Sequence, residues 1–290
     1  MCIYRVKSMK PDLELNVECF NLKYTLECGQ CFRWECIEDN TYIGVIEDRV
    51  IKIKQQGNKL LIWSSLTTNL EQAVSKYFDL NKDYSFLEKE IAKIDNNVEE
   101  SLKYSSGIRI LNQPLFETII SYIISANNNI KRISRSVKDI SRKYGKKVLF
   151  ENNEYYLFPT LEEIANITID DLLECGTGFR ARYIKNVINY FLDNKNFLMN
   201  LENMDTENAR KSLMSLMGVG PKVADCILLF SLKRGEVFPI DVWVKRIMEK
   251  LYFKDNTSIK EISEYAKDKF GKYAGIVQQH LFHNVREGNI

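Results

Sequence analysis

The apolar periodicity of this chain changes once, and that change limits the folds open to it. From about Leu13 to Trp63 the segments are short and partly alternating: "CFRWECI", "TYIGVIED", "VIKIKQ" and "KLLIWSS". Polar punctuation separates them, at Glu38-Asp39-Asn40 and Gln56-Gly57-Asn58. Short alternating runs between turn formers are the pattern of antiparallel strands and hairpins. A helical bridge is expected from about Leu70 to Tyr104. Beyond Gln113 the period is helical, opening with "PLFETIISYIIS", where Pro114 suits a first helical position. A second helix continues from Asn129. Others are expected near Ile169–Glu174, Arg180–Asp193, Asp205–Leu216, Pro221–Lys233, Val242–Leu251, Ser258–Phe270 and Ala274–Val285. The expectation is therefore an α+β chain. A twisted antiparallel sheet domain with bridging helices (1–105) packs on a mainly helical body (106–290), and the last helix returns to the N-terminal domain.

The rest of the composition excludes more than it selects. No apolar run approaches the ~20 residues of a membrane-spanning helix, so no membrane partner is expected. Met1 to Lys10 lacks the apolar core of a signal peptide, which predicts an intracellular protein. Seven cysteines, an odd number, argue against a disulfide framework. Net charge is only +2, so a polyanion would have to be met by a local patch. One such patch is "KRISRSVKDISRKYGKK" at 131–147, with eight basic residues and one acidic. A charge run of this kind is usually a solvated face, but it also suits phosphates. An abundance of Ile, Lys and Asn suggests an AT-rich prokaryotic genome.

The most informative stretch is "LMSLMGVGPKVADCILLF" at 213–230. Two helical segments meet at Gly218-Val219-Gly220, where glycines permit a tight hairpin and leave backbone N–H groups uncovered at the next helix start. Pro221 sits where a helix best tolerates proline. Such a start attracts anions, and a DNA phosphate is a natural one. Lys222 then stands in the first turn, where the macrodipole disfavours a cation, and misplaced charge of this kind often marks function. A neutral amine there could attack a sugar carbon and form a Schiff base. Cys226, one turn on, projects from the same face. Asp241, in "FPIDVWVKRIMEKL", is an ordinary helix N-cap by position. It also follows Lys222 by one helix and one loop, close enough for the chain to double back. A carboxylate beside the amine could stabilise positive charge on a sugar ring.

"LMGVGPKVADCI" followed by "PIDVWVKRI" resembles the helix-hairpin-helix (HhH-GPD) glycosylase superfamily, whose signature is a hairpin, a catalytic lysine, a loop and an aspartate. The resemblance implies Lys222 as Schiff-base nucleophile and Asp241 as catalytic carboxylate of a bifunctional glycosylase/lyase, with Gly218, Gly220 and Lys222 at a phosphate-binding hairpin. Many members carry a four-cysteine iron–sulfur cluster after the hairpin. Only Cys226 lies beyond Cys175 here, so that cluster cannot be built.

Further motifs resemble the 8-oxoguanine DNA glycosylase branch. "CGQCFRW" is similar to its Gly-Gln-x-Phe-Arg-Trp, which implies that the Gly29 carbonyl accepts the N7–H that 8-oxoguanine has and guanine lacks. "SANNNIKRISR" implies Asn127 filling the space of the flipped base and Arg132 at the estranged base. "GTGFRARYIKN" implies Phe179 as wedge and Arg180 as reader of the opposite cytosine, with phenylalanine replacing the eukaryotic tyrosine. "AGIVQQHLFHN" implies Gln278 on the Watson–Crick edge and Phe282 stacked on the base, with Cys226 on its other face. Trp243 replaces a eukaryotic histidine, and His280 and His283 read as surface or capping residues.

The implied function is excision of 8-oxoguanine from double-stranded DNA, followed by strand cleavage, by a monomer that needs no metal or other cofactor. A cytoplasmic, nucleoid-associated setting in a bacterium or archaeon goes with it. The alternatives are a glycosylase for another damaged purine, a non-catalytic DNA-binding module, and a C-x-x-C redox protein built on Cys28 and Cys31. A zinc site would need two more ligands at sensible spacing, and redox motifs sit at the head of a βαβ helix, so the cysteines read as packing residues at a strand edge.

Overall fold

The computed structural model describes residues 10–288; residues 1–9, most of the segment read for a signal peptide, and 289–290 lie outside it, as do the corresponding ends of the ranges 1–105 and 106–290. After β1 (Leu13–Asn16) and α1 (Leu22–Glu27) come β2 (Glu35–Glu38), β3 (Thr41–Ile46), β4 (Arg49–Gln56) and β5 (Lys59–Ser64). Together the strands form one antiparallel sheet in the order β1-β5-β4-β3-β2. Helices α2 (Leu70–Tyr77), α3 (Tyr84–Ala92) and α4 (Asn96–Ser105) form the bridge.

The helical body opens with α5 (Leu115–Ser125) and α6 (Ile130–Tyr144), then a hairpin of β6 (Lys147–Phe150) and β7 (Asn153–Tyr156). It continues through α7 (Ile169–Glu174), α8 (Ala181–Asp193), α9 (Phe197–Asn203), α10 (Thr206–Met214) and α11 (Pro221–Phe230). Helices α12 (Val242–Tyr252), α13 (Ile259–Phe270) and α14 (Ala274–Arg286) complete it. No helix among the described residues is long and apolar enough to cross a membrane.

The sheet is wrapped on both faces. Tyr42, Ile51, Ile53, Leu60 and Ile62 pack with Leu22, Leu70, Val74 and Phe78 beneath α1 and α2. On the other side Ile43, Val45 and Val50 meet Phe150, Val148 and Tyr155 of the β6–β7 hairpin. That hairpin and α9 were not expected from the sequence. Strand β7 reads "NEYY", with too little apolar alternation to declare itself, and short α9 lacks the capping box that marks the start of equally short α7. Pro114 is the N-cap of α5, one residue before the expected position.

"CFRWECI" is only partly a strand. Cys28 ends α1 and Cys31 lies in the bend before β2, so neither is at a strand edge. Both are buried free thiols, donating to the carbonyls of Thr25 (3.4 Å) and Leu26 (3.5 Å). Burial lifts the Cys28 thiol to about 11, far from a reactive thiolate.

His280 and His283 correct the expectation of surface residues. α14 packs on α4 and against α1, and both imidazoles are buried there, His280 against Ser105 Oγ of α4 at 2.8 Å and His283 on the Tyr24 ring of α1 at 4.5 Å. The sequence hid this because α14 is apolar or buried over most of its circumference, where polar residues normally mark the outer face. Burial holds His280 down to about 4, with Glu88 opposing and His283 assisting. A depressed histidine pKa means the unfolded chain binds the extra proton first, so stability is full above about 6.5 and is lost as pH falls towards 4. The shift corresponds to roughly 3 kcal/mol at most. Urea unfolding at pH 7 and pH 4.5 should therefore show a smaller acid loss in His280→Gln than in wild type. Equal losses would remove His280 from the account.

Candidate active site

The hairpin is built as its glycines demand. Gly218 has φ +86, and a Cβ there would lie 2.7 Å from Tyr183 Cδ2, so this turn needs glycine twice over. The N-cap Gly220 is different, with an ordinary φ of −93 and no heavy atom within 4 Å of an added Cβ. Because Gly220 has no capping side chain, the first-turn N–H groups of α11 stay open to an outside acceptor. Arg210 of α10 clamps the hairpin by bonding Asp225 of α11 at 2.7 Å. Gly218→Ala should cost about 1–3 kcal/mol in urea unfolding. Gly220→Ala should leave stability unchanged and weaken binding of a DNA duplex severalfold, by screening those N–H groups. Unchanged duplex binding would mean that the hairpin holds no phosphate.

Lys222 is half-buried in that first turn, its Nζ 5.3 Å from the centre of the Tyr122 ring. Cys226 is buried beside it. Burial raises the thiol to about 11, while the nearby Lys222 charge draws it the other way and Asp241 adds a smaller rise. Lys222 and Asp241 thus both act electrostatically on the Cys226 thiol. Asp241 caps α12 by accepting from Val244 N at 2.8 Å, which fixes its carboxylate at the start of that helix. Trp243, 57% exposed, follows with the Arg246 guanidinium 5.3 Å from its ring centre.

Gly29 adopts φ +88, and an added Cβ would stand 3.8 Å from both Phe282 Cε1 and Ile130 Cδ1. The start of the chain, α6 and the last helix therefore converge here. Phe282 is half-buried, neither a core residue nor a free one. Gln278, one turn earlier on α14, is buried and accepts from Gln279 Nε2 at 2.7 Å through its side-chain oxygen.

The three asparagines of "SANNN" divide their work. Asn128 Nδ2 donates to the Ile124 carbonyl (3.1 Å) and Asn129 caps α6 through Arg132 N (3.0 Å). Asn127 makes no side-chain hydrogen bond among the described residues, is exposed and holds φ +50. Arg132 is exposed beside it. Phe179 is 57% exposed and meets Tyr183 edge-on at 5.9 Å, and Tyr183 in turn covers Gly218. Arg180 is 7% exposed and spent inside the protein. Its guanidinium donates to the carbonyls of Ala126 (2.5 and 2.7 Å), Asn127 (2.7 Å) and Thr177 (3.2 Å). In this state Arg180 braces the Asn127 turn.

Two positioning residues escaped the sequence reading. Gln30, fully buried, donates to the carbonyls of Thr25 (2.9 Å) and Arg109 (2.7 Å) and accepts from Leu111 N (2.9 Å). Its own carbonyl accepts from Gln113 (2.7 Å) and Tyr122 Oη (3.1 Å), which locks the Gly29 turn to the segment entering α5. Its place between Cys28 and Cys31 was visible, but its partners are far away in sequence. Tyr122, stacked on Phe230 at 5.7 Å, forms the floor under the Lys222 amine. In sequence it is one more apolar position of α5.

A glycine hairpin presenting a lysine, followed by a loop and a capping aspartate, is the pattern of an HhH-GPD repair protein. The profile "HhH-GPD superfamily base excision DNA repair protein" matches residues 120–272, and "8-oxoguanine DNA glycosylase, N-terminal domain" matches 12–119. A probable N-glycosylase/DNA lyase of Methanothermobacter thermautotrophicus is 33% identical over 246 residues, 78% of this chain and 77% of its own. The N-glycosylase/DNA lyase of Saccharomyces cerevisiae is 32% identical over 265 residues, 83% of this chain and 70% of its own. The Clostridium acetobutylicum 8-oxoguanine glycosylase/lyase, solved with double-stranded DNA containing cytosine opposite 8-oxoG, is 37% identical with a TM-score of 0.90, over 97% of this chain and 100% of that one. The chain belongs to the 8-oxoguanine DNA glycosylase/lyase family of the HhH-GPD superfamily.

Proposed function

We propose that this protein flips 8-oxoguanine out of duplex DNA, excises it through a Schiff base at Lys222 and nicks the strand by β-elimination. The observation that carries the reading is the Lys222 amine at the uncovered start of α11, over the Tyr122 ring and one turn before buried Cys226.

Each step has a group to serve it. Extruding a base costs a few kcal/mol, which the wedge Phe179 and the gap-filler Asn127 offset. Arg132 and Arg180 contact the estranged base. Arg180 does so after leaving the Ala126 and Asn127 carbonyls, so its release accompanies ordering of that turn on DNA. The extruded base lies between Phe282 and Cys226, with its N7–H on the Gly29 carbonyl. Gln279 holds one lone pair of the Gln278 oxygen. The other lone pair and the amide N–H remain for N1–H and O6 of the purine edge.

The Lys222 lone pair attacks C1′ as the C1′–N9 bond breaks and its electrons leave with the base, which takes up a proton. Asp241 stabilises the positive charge that develops on the sugar. Transfer of the amine's remaining proton to O4′ lets the C1′–O4′ bond break as the nitrogen lone pair forms the C1′=N imine, leaving O4′ as a hydroxyl. Removal of a C2′ proton then expels the 3′ phosphate, nicking the strand 3′ to the lesion. Gly218, Gly220 and the first turn of α11 hold a backbone phosphate.

The division into 1–105 and 106–290 belongs to this proposal, as do the monomeric state and an intracellular setting on prokaryotic DNA. Incubation with an 8-oxoguanine·cytosine duplex should release the base and, with borohydride, trap one covalent adduct. The same duplex carrying guanine should give neither. Adduct-free release, or equal action on an alkylated purine, would overturn the reading.

A further inference from the structure

Helix α5 is buried from Thr118 to Ile124, and Tyr122 within that stretch is only 2% exposed. A buried tyrosine hydroxyl needs a partner, and this one finds it far along the chain. Oη donates to the Gln30 carbonyl at 3.1 Å, while the ring centre lies 5.3 Å from Lys222 Nζ. One side chain thus touches both the residue after Gly29 and the amine at the start of α11.

The ring is clamped between the same two elements. It stacks on Phe230 at 5.7 Å, with 16° between the planes, and meets Phe32 edge-on at 5.4 Å. Phe230 ends α11, the helix whose first turn carries Lys222, and Phe32 lies two residues beyond Gln30. Burial, with the Cys226, Cys31 and Cys28 thiols adding to it, holds the phenol well above its ordinary value. The hydroxyl is therefore a donor to Gln30 at working pH and not a base.

The turn that receives this bond is held unevenly. The Gln30 carbonyl takes two donors, Tyr122 Oη and Gln113 Nε2 at 2.7 Å. The Gln30 side chain is fixed by the carbonyls of Thr25 and Arg109 and by Leu111 N. The preceding carbonyl, that of Gly29, accepts no hydrogen bond among the described residues. Because the peptide unit is planar, the torsions of Gln30 set the direction in which the Gly29 oxygen points. An open acceptor is thus aimed by a fully held neighbour.

Building on the proposed function, we infer that Tyr122 is a positioning residue with two separable tasks. Its hydroxyl aims the Gly29 carbonyl at the base, and its ring holds the Lys222 amine in place for attack. Recognition and nucleophile therefore share one rigid side chain, at a site where a misplacement of about 1 Å costs on the order of 10²-fold in rate.

An abasic-site duplex separates the tasks, since it offers the Gly29 turn no base yet still needs the amine. Single-turnover base release from an 8-oxoguanine duplex is compared with borohydride trapping on the abasic duplex, both titrated with enzyme and run below each variant's unfolding transition. Tyr122→Phe drops the hydroxyl and keeps the ring. It should raise the half-saturating concentration about three- to tenfold more on the lesion duplex than on the abasic one, the effect of one hydrogen bond. Gln113→Met, which removes the other donor to the Gln30 carbonyl, should do the same. Tyr122→Met removes the ring as well and should slow maximal trapping on the abasic duplex about tenfold or more. Phe230→Leu, which takes away the stacking partner and leaves Tyr122 in the chain, should slow it severalfold and carries the same test should Tyr122→Met not fold. Equal losses on the two duplexes in Tyr122→Phe, or no loss on either, would overturn the first task. Trapping of the abasic duplex at the wild-type rate in Tyr122→Met or Phe230→Leu would overturn the second. Wild type that traps no adduct on either duplex would instead strike the proposed function.

Discussion

Lys222→Gln should yield no borohydride-trapped adduct on an 8-oxoguanine duplex and slow single-turnover base release by about 10³-fold or more, because the attacking lone pair is gone. Glutamine is as good a helix former as lysine and keeps most of the chain length, so α11 and the hairpin should remain intact. Removing a cation from the positive end of α11 should if anything help the helix slightly. Duplex binding measured in parallel should fall only modestly. Full-rate base release without an adduct would mean that water is the nucleophile and Lys222 a phosphate contact. A trapped adduct in the variant would move the Schiff base to another amine.

Asp241→Asn should slow base release by about 10²–10³-fold while leaving thermal stability nearly unchanged. The substitution separates the observed role of this carboxylate, the helix cap, from its proposed one, the charge facing the sugar. Its oxygen caps α12 through Val244 N at 2.8 Å, and asparagine caps a helix about as well as aspartate does. What asparagine lacks is the negative charge facing the sugar. Asp241→Ala should lose both, adding a stability cost of about 1 kcal/mol to the kinetic defect. If Asp241→Asn reacts at the wild-type rate and Asp241→Ala is merely less stable, Asp241 is a cap and nothing more.

The candidate site was unevenly legible in the sequence. Lys222, Cys226 and the hairpin glycines could be read directly, since helical spacing and a two-glycine turn decide their relation within a dozen residues. Asp241 was legible as a cap for the same reason. The partners of Gly29 were not. Its neighbours Ile130 and Phe282 come from α6 and from the last helix, and nothing local ties them to it. The two histidines of α14 failed for a related reason. A polar residue on a helix surrounded by other elements looks, in sequence, like one on a solvated face. Arg180 shows a further limit, since a side chain read as a base contact is here committed to the carbonyls of Ala126 and Asn127.

Local interactions are written along the chain at short range, and they settled most of the helices, four of the five sheet strands, the hairpin and the placement of the lysine at a helix start. Resemblance of separated motifs settled the family. What only tertiary packing decided is how those pieces meet. The β6–β7 hairpin closes the outer face of the sheet, and α14 brings Phe282 and Gln278 to Gly29. Tyr122 lies beneath Lys222. Each of these depends on burying apolar surface between segments far apart in the chain. Hydrophobic burial is non-directional, so only the assembled core says which face meets which.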